Sequence, residues 1–280
     1  MITDLRGRTA VVTGAASGIG LALATRFAEE GMQVVLADVE APALEDAAAK
    51  LRAAGAEVLA VTTDVADGGE VDRLADQATH AFGPVHVLCN NAGVGAGGLV
   101  AELTTADWEW VLGVNLWGVI HGLRAFLPRM LASGEEGHVV NTASLAGHVS
   151  APFMAPYSAS KFAVVATSEA LYHELQMTSA RVGVSVLCPG WVNTNIHRSE
   201  RNRPAALRAR GGLADGDPRA DMLRQVLAAG MPPGEVAGLV LDAIRTGRFY
   251  VLTHPEMTPA VEARMRAIVA GENPTLTMPA

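Results

Sequence analysis

The sequence predicts an α/β fold: a doubly wound sheet of about seven parallel strands with helices on both faces. Three observations predict it. From residue 9 onward, β-branched runs alternate with longer alanine-rich segments of helical period. The runs are apolar almost without interruption, which suits strands covered on both sides. The first of them leads directly into the glycine-rich stretch TGAASGIG, residues 13–20, which in turn opens the first helical segment.

TAVVT (9–13) is the first strand and a helix is expected over 18–30. QVVLAD (33–38) is the second, ending on Asp38, with a helix over 41–54. EVLAVT (57–62) is the third, closed by the turn TDV, with a helix over 69–82. VHVLCN (85–90) is the fourth, closed by NNAG, with a long helix over 105–132. HVVNTA (138–143) and VGVSVLC (182–188) are the fifth and sixth, separated by a helix over 156–178. RFYVL (248–252) is the seventh, flanked by helices over 234–246 and 256–270. A single domain over 1–270 is expected, with 271–280 a frayed tail or subunit contact. Between the sixth and seventh strands, residues 194–232 are rich in Arg, Gly, Pro and Asp and too polar for a core segment. They are either a solvated excursion with a short helix or a lid over a ligand site at the carboxyl ends of the strands.

Composition narrows the partners. The chain has 280 residues, 50% of them apolar, enough to bury a large core, and a net charge of −8. Such a chain has no basic footprint for nucleic acid or an anionic membrane, so a small-molecule substrate is expected. Cys89 and Cys188 stand far apart in apolar runs, as suits reduced thiols in a reducing, cytoplasmic compartment. The amino terminus is too short and too charged in its apolar run for a signal peptide, and no stretch approaches the length of a membrane span. The histidines show no ligand spacing, so no catalytic metal is expected.

The glycine-rich stretch has the context of a phosphate loop. Gly14 makes the tight turn, Gly18 admits close backbone approach, and Gly20 lets helix and sheet pack, with a pyrophosphate at the helix amino terminus. Asp38 follows at the end of the second strand, where a carboxylate accepts from an adenosine ribose or else caps the next helix. A carboxylate there repels a 2′-phosphate, and neither Ser17 nor Val39 is basic, so NAD(H) is expected over NADP(H). Asp64 either accepts from an adenine amino group or serves its own turn. In NNAG, Asn91 satisfies backbone groups while Ala92 and Gly93 leave room for a ribose.

Of the 21 basic residues only Lys50 and Lys161 are lysines, and Lys161 follows Tyr157 by four residues in YSASK. On a helix the two share a face. A nearby ammonium favours the phenolate and lowers a tyrosine pKa, and lysine's compact charge also reaches ribose hydroxyls. Ser144, just past the fifth strand, is placed to hold a substrate oxygen. Asn115 lies inside the long helix, where it either marks a main-chain break that binds water or is a buried, satisfied amide.

Together TGAASGIG, Asp64, NNAG, Asn115, Ser144, YSASK and PGWVNT (189–194) resemble the short-chain dehydrogenase/reductase family in its compact single-domain form, over about residues 6–195. The resemblance implies a Rossmann-type fold and an oxidoreductase that moves a hydride between NAD(H) and a secondary alcohol or ketone. It implies Tyr157 as general acid/base, Lys161 as its modulator and ribose ligand, Ser144 as substrate-orienting and Asn115 as holder of a relay water. Cofactor contacts would come from Gly14, Ser17, Ile19, Gly20, Asp38, Asp64, Val65, Asn91, Ala92, Gly93, Val192 and Thr194, with Tyr157 and Lys161. A homotetramer that pairs the helices near 105–132 and 156–178 across two-fold axes is implied as well. The substrate would meet Ala146, His148, Phe153, Met154 and Trp191, whose character suggests a bulky, apolar or aromatic molecule; ordinary core packing explains the last three equally well. Arg198, Arg201 and Arg203 read as a solvated stretch of lid or as partners for a carboxylate. A non-catalytic NAD-binding sensor or scaffold on the same fold is the alternative function.

Overall fold

A computed structural model describes residues 2–208 and 218–275 of the chain. Among them seven strands form one sheet in the order β3-β2-β1-β4-β5-β6-β7, every neighbouring pair parallel. The strands are β1 (Thr9–Thr13), β2 (Gln33–Asp38), β3 (Val58–Thr62), β4 (Val85–Asn90), β5 (Gly137–Thr142), β6 (Val182–Cys188) and β7 (Tyr250–Leu252). The helices are α1 (Gly18–Glu29), α2 (Ala41–Ala53), α3 (Gly68–Phe82), α4 (Thr105–Leu112), α5 (Gly118–Ser133), α6 (Ala155–Met177), α7 (Pro218–Ala228), α8 (Pro233–Thr246) and α9 (Thr258–Ala270).

The two-residue period of the strands divides the core into two layers. Ala10, Val12, Val34, Leu36, Cys89 and Leu187 face α1, α2 and α8. Val11, Val35, Leu88, Val139 and Val184 face α3, α5 and α6. The inner strands β1, β2 and β4 are therefore apolar on both sides, which is why their runs read as continuous, whereas the edge strand β7 exposes Tyr250 and Leu252. Both cysteines are free and buried.

β1 lies between β2 and β4, so the chain reverses its winding there. The loops that leave β1 and β4 diverge to opposite faces and open a crevice at the carboxyl ends of the strands, the ordinary ligand position in this class.

Three expectations differ. The helix over 105–132 is interrupted: α4 and α5 are separated by a π-helical segment, Gly113–Trp117. Such a segment widens the turn and frees main-chain groups, often at functional positions. The helix expected over 256–270 begins as a 3-10 turn, Pro255–Met257, and becomes α-helical only at Thr258. Contrary to the expectation that no stretch has the length of a span, the helical run Thr105–Ser133 has 29 residues and is apolar enough to cross a membrane by length and composition. Its apolarity has a packing reason, since Val119, Ala125, Phe126 and Met130 are buried between α5 and the sheet face that α3, α5 and α6 cover.

Residues 194–232 lie, as read, between β6 and β7. Their stem is closed by a parallel bridge between Val192 and Met231, with Met231 N donating to the Trp191 carbonyl at 2.9 Å. The part of the expected lid at 209–217 and the part of the expected tail at 276–280 lie outside the described residues.

Candidate active site

The crevice is built first from backbone. Gly14 has φ +66°, and a Cβ there would stand 2.8 Å from Ala92 Cα. A Cβ on Gly20 would fall 2.0 Å from the Gly14 carbonyl oxygen, so no other residue fits without moving the loop. Thr13 Oγ1 accepts from the backbone N–H groups of Asn91 at 2.9 Å and Ala92 at 3.1 Å, and Asn91 Nδ2 donates back to the Thr13 carbonyl at 3.0 Å. The glycine loop and the NNAG loop are thus locked together. Thr194 closes over Gly18, whose Cβ would lie 3.2 Å from its methyl group. Ser17 is the N-cap of α1 and makes no side-chain cap bond, while Ile19 packs on the core below the turn.

Asp38 is held by two backbone donors: Ala16 N to Oδ2 and Glu40 N to Oδ1, each at 3.0 Å. Its carboxylate therefore stands fixed beside the glycine loop and also serves the start of α2. Asp64 Oδ1 accepts from Ala66 N at 2.9 Å, the turn-serving role weighed for it. Val65 is buried against Gly118, and Val192 is buried at the stem of the insertion.

The chemical residues converge from three elements. Tyr157 and Lys161 lie one turn apart on α6, with Nζ 5.6 Å from the Tyr157 ring centroid. Lys161 is buried and donates to the Thr142 carbonyl at 2.8 Å. Ser144, extended at φ −175°, donates to the Pro189 carbonyl at 3.3 Å, accepts from Ala146 N at 3.1 Å and shares a hydrogen bond with the Tyr157 hydroxyl. Asn115 sits in the π-helical segment. Its Oδ1 accepts from Val94 N at 2.8 Å, and its Nδ2 donates to the Val94 carbonyl at 2.9 Å and to Ser160 Oγ at 3.1 Å. Gly93 is where Asn115 and Lys161 meet: a Cβ there would lie 3.5 Å from Asn115 Oδ1 and 3.7 Å from Lys161 Nζ. The helix is irregular at Asn115, and its side chain is satisfied by protein groups.

The electrostatics correct one expectation. A nearby Lys161 ammonium favours a lowered Tyr157 pKa, but in the free protein that pKa lies above the ordinary 10.0. Burial of the phenol raises it and the Ser144 hydrogen bond only partly offsets this. Although the Tyr157 side chain as a whole keeps some exposure, its hydroxyl end stands among densely packed protein atoms. Lys161 is itself pushed down to about 8 by burial, and its ammonium points at Thr142 rather than at the phenol oxygen.

The residues read as substrate contacts fall into two groups. Phe153 is 43% exposed and adopts φ +67°, a left-handed conformation that a bulky residue rarely takes, and its carbonyl accepts from Gly98 N at 2.9 Å. Met154 is the N-cap residue of α6, three residues before Tyr157, Ala146 accompanies Ser144, and Trp191 stands partly exposed at the stem of the insertion. His148 turns elsewhere: Nε2 lies 3.3 Å from Cys188 Sγ, and its ring meets Tyr250 edge-on at 6.0 Å.

The insertion is not uniformly solvated. Arg203 is buried, pairs with the equally buried Asp107 at 2.8 Å and lies 4.3 Å above the Trp110 ring. Burial alone would raise the Asp107 carboxyl; hydrogen bonds from Thr104 and the Arg203 charge bring it below its ordinary value. Ser199 Oγ accepts from Gly95 N at 3.0 Å, and Arg201 and Asn202 both donate to Glu40. Residues 195–203 therefore roof the crevice from the end of β2 to the start of α4. The sequence reading missed Glu40, Ser199 and Asp107; the only signal for them was the spacing of three arginines, whose partners are far away in the chain.

The family model for short chain dehydrogenases matches residues 8–205. The chain is 42% identical over 254 residues to the 1-deoxy-11-beta-hydroxypentalenate dehydrogenase of Streptomyces exfoliatus, covering 90% of this chain and 85% of that protein. It superposes with a TM-score of 0.96 on the crystal structure of a short chain dehydrogenase/reductase from Burkholderia phymatum in complex with NAD, at 47% identity and 99% coverage of both chains. An actinorhodin polyketide ketoreductase with NADPH superposes at 0.74, with 33% identity, 90% coverage of this chain and 97% of that one. The matched span takes in the glycine loop, the NNAG turn and the Tyr157–Lys161 pair, and the chain belongs to the short-chain dehydrogenase/reductase family of oxidoreductases.

Proposed function

We propose that this protein is an NAD(H)-dependent dehydrogenase or ketone reductase for a bulky, apolar or aromatic secondary alcohol, with Tyr157 as general acid/base. The observation that carries the reading is that Ser144 shares a hydrogen bond with the Tyr157 hydroxyl while Lys161, one turn along α6, meets Asn115 beside Gly93.

The crevice fits a dinucleotide. Gly14 and Gly20 leave a cradle that any Cβ would fill, and Ser17 stands at the amino terminus of α1 with its hydroxyl unspent on capping. Nicotinamide, when bound, supplies the acceptor or donor of the hydride. The chain's own residues do the rest. Ser144 holds the substrate oxygen beside the Tyr157 hydroxyl, and Tyr157 takes that oxygen's proton during oxidation and returns it during reduction. Lys161 binds ribose hydroxyls and keeps a positive charge within reach of the phenol, while the π-helical break at Asn115 offers main-chain groups to a water on the far side of Lys161.

Asp38 supports NAD(H) as the cofactor, because a fixed carboxylate beside the ribose repels a 2′-phosphate. The bulky substrate is supported by Phe153, Met154 and Trp191 around the approach to Tyr157, and by the pentalenate dehydrogenase relative. The exposed Trp117, Leu131 and Met177 on the two long helices support the homotetramer, and sedimentation showing a monomer would contradict it.

The test is a panel of bulky secondary alcohols and ketones assayed with NAD(H) and NADP(H) by nicotinamide absorbance. Turnover of at least one, with higher kcat/KM for NAD(H), is expected; absence of turnover on all, or equal use of NADP(H), argues against the reading.

A further inference from the structure

A cavity of about 370 Å³ opens outside the ribose carboxylate, between Ala16 and Ser17 of the glycine loop, Glu40 at the start of α2, and Asn195, Arg198 and Arg201 of the insertion. Asp38 stands behind its wall, with its two oxygens accepting from the backbone N–H groups of two lining residues, Ala16 and Glu40. Along the chain no basic residue adjoins the ribose position, since Ser17 and Val39 are neutral. The fold brings two from 160 residues away.

The Arg201 guanidinium is already engaged. Arg201 Nη2 donates to Glu40 Oε1 at 2.5 Å, and Asn202 Nδ2 donates to the same oxygen at 2.7 Å. Arg201 Nη1 is spent on the carbonyls of Arg198, at 2.9 Å, and Asn195, at 3.4 Å. Burial alone would raise the Glu40 carboxyl, yet hydrogen bonds from Arg201 and Asn202 and the charges of Arg201 and Arg198 bring it below its ordinary value. Two carboxylates, Asp38 and Glu40, thus balance two guanidinium groups around the cavity. A ribose with free hydroxyls meets a neutral wall with an acceptor in place. A 2′-phosphate, bringing nearly two negative charges, meets the same wall with its best donor already occupied.

We propose that Glu40 is a second determinant of cofactor choice, acting through Arg201: it holds the guanidinium away from the ribose and so keeps closed a phosphate site that Arg198, Arg201 and Ser17 would otherwise form. The inference rests on the NAD(H) reading above. It differs from the role of Asp38, which acts by direct repulsion; Glu40 acts by occupying a donor on another element. Neutralising Glu40 leaves the cavity with one excess positive charge and frees a planar fork whose geometry matches a phosphate.

The test is fluorescence titration of NADH and NADPH into the wild type, Glu40→Gln, Glu40→Ala and the double variant Glu40→Gln/Arg201→Ala, with thermal unfolding of each as a control for folding. Both Glu40 variants are expected to tighten NADPH about tenfold. NADH is expected to change by less than about threefold. The double variant is expected to lose the gain, and 2′,5′-ADP should compete in Glu40→Gln but not in the wild type. A gain that survives Arg201→Ala, or equal shifts for both cofactors, would overturn the role of Glu40. A wild type that binds NADPH as tightly as NADH would instead overturn the NAD(H) reading on which it rests.

Discussion

Lys161 Nζ donates to the Thr142 carbonyl at 2.8 Å, so the last residue of β5 sets the position of the one lysine on α6. The contact holds a compact ammonium 5.6 Å from the Tyr157 ring centroid and beside Gly93. Lys161→Arg keeps the charge but needs room for a planar group one atom longer in a buried position. Loss of kcat by about a hundredfold is expected, as for a misplacement of about 1 Å. Steady-state kinetics check this; an arginine variant with wild-type kcat would show that charge alone suffices.

Tyr157→Phe removes only the hydroxyl that Ser144 meets. NADH affinity should stay within a factor of about two, while kcat falls by about 10² to 10⁴, the usual span for losing a general acid/base. Titration of NADH beside turnover separates the two effects, and retained turnover would exclude the assignment.

Burial pushes Lys161 from 10.5 down to about 8 in the free protein. The ammonium is therefore present below pH 8 and lost above it. NADH binding should weaken as pH rises through about 8, and Lys161→Met should lack that step. Stability responds with the opposite sign. Between about 8 and 10.5 the unfolded chain holds the proton that the folded one has released, so this group makes folding more favourable as pH rises through that window. Denaturant unfolding at pH 7.5 and 9.5, in the wild type and Lys161→Met, reads the difference.

Arg203 and Asp107 are both almost fully buried, and Asp107 also closes the capping box of α4 with Thr104. Arg203→Ala leaves a buried carboxylate without its counter-charge and removes the cation over Trp110. A stability loss of about 3 kcal/mol is expected from equilibrium unfolding, nearly independent of salt because the pair is shielded from solvent. A loss below about 1 kcal/mol, as for an exposed pair, would mean that this anchor of the insertion opens readily in solution.

Two glycines give opposite expectations for the same change. Gly20→Ala puts a Cβ 2.0 Å from the Gly14 carbonyl, so NADH binding should be abolished or the protein should fail to fold. Gly238 stands exposed inside α8 with nothing within 4 Å of an added Cβ. Gly238→Ala should stabilise by about 0.5 to 1 kcal/mol, the helix propensity difference. Paired thermal unfolding and NADH titration check both.

What the sequence by itself determined were features written in local order. The parallel strands were legible because burial on both faces makes their apolar runs continuous. The glycine loop was legible because its glycines and the strand before it are contiguous. Tyr157 and Lys161 were legible because one helical turn separates them. What only the tertiary structure decided were relations between distant segments. Burial reversed the direction expected for Tyr157, a quantity set by how densely other elements pack around the hydroxyl. Arg203 became a buried ion-pair partner, since Asp107 lies 96 residues earlier. Arg201 reached the ribose end of the crevice only because the insertion after β6 folds back over β2. A polar composition states that a segment has charges to satisfy; which charge it meets depends on the sheet order, and that order places the end of β2 under a loop that follows it by more than 150 residues.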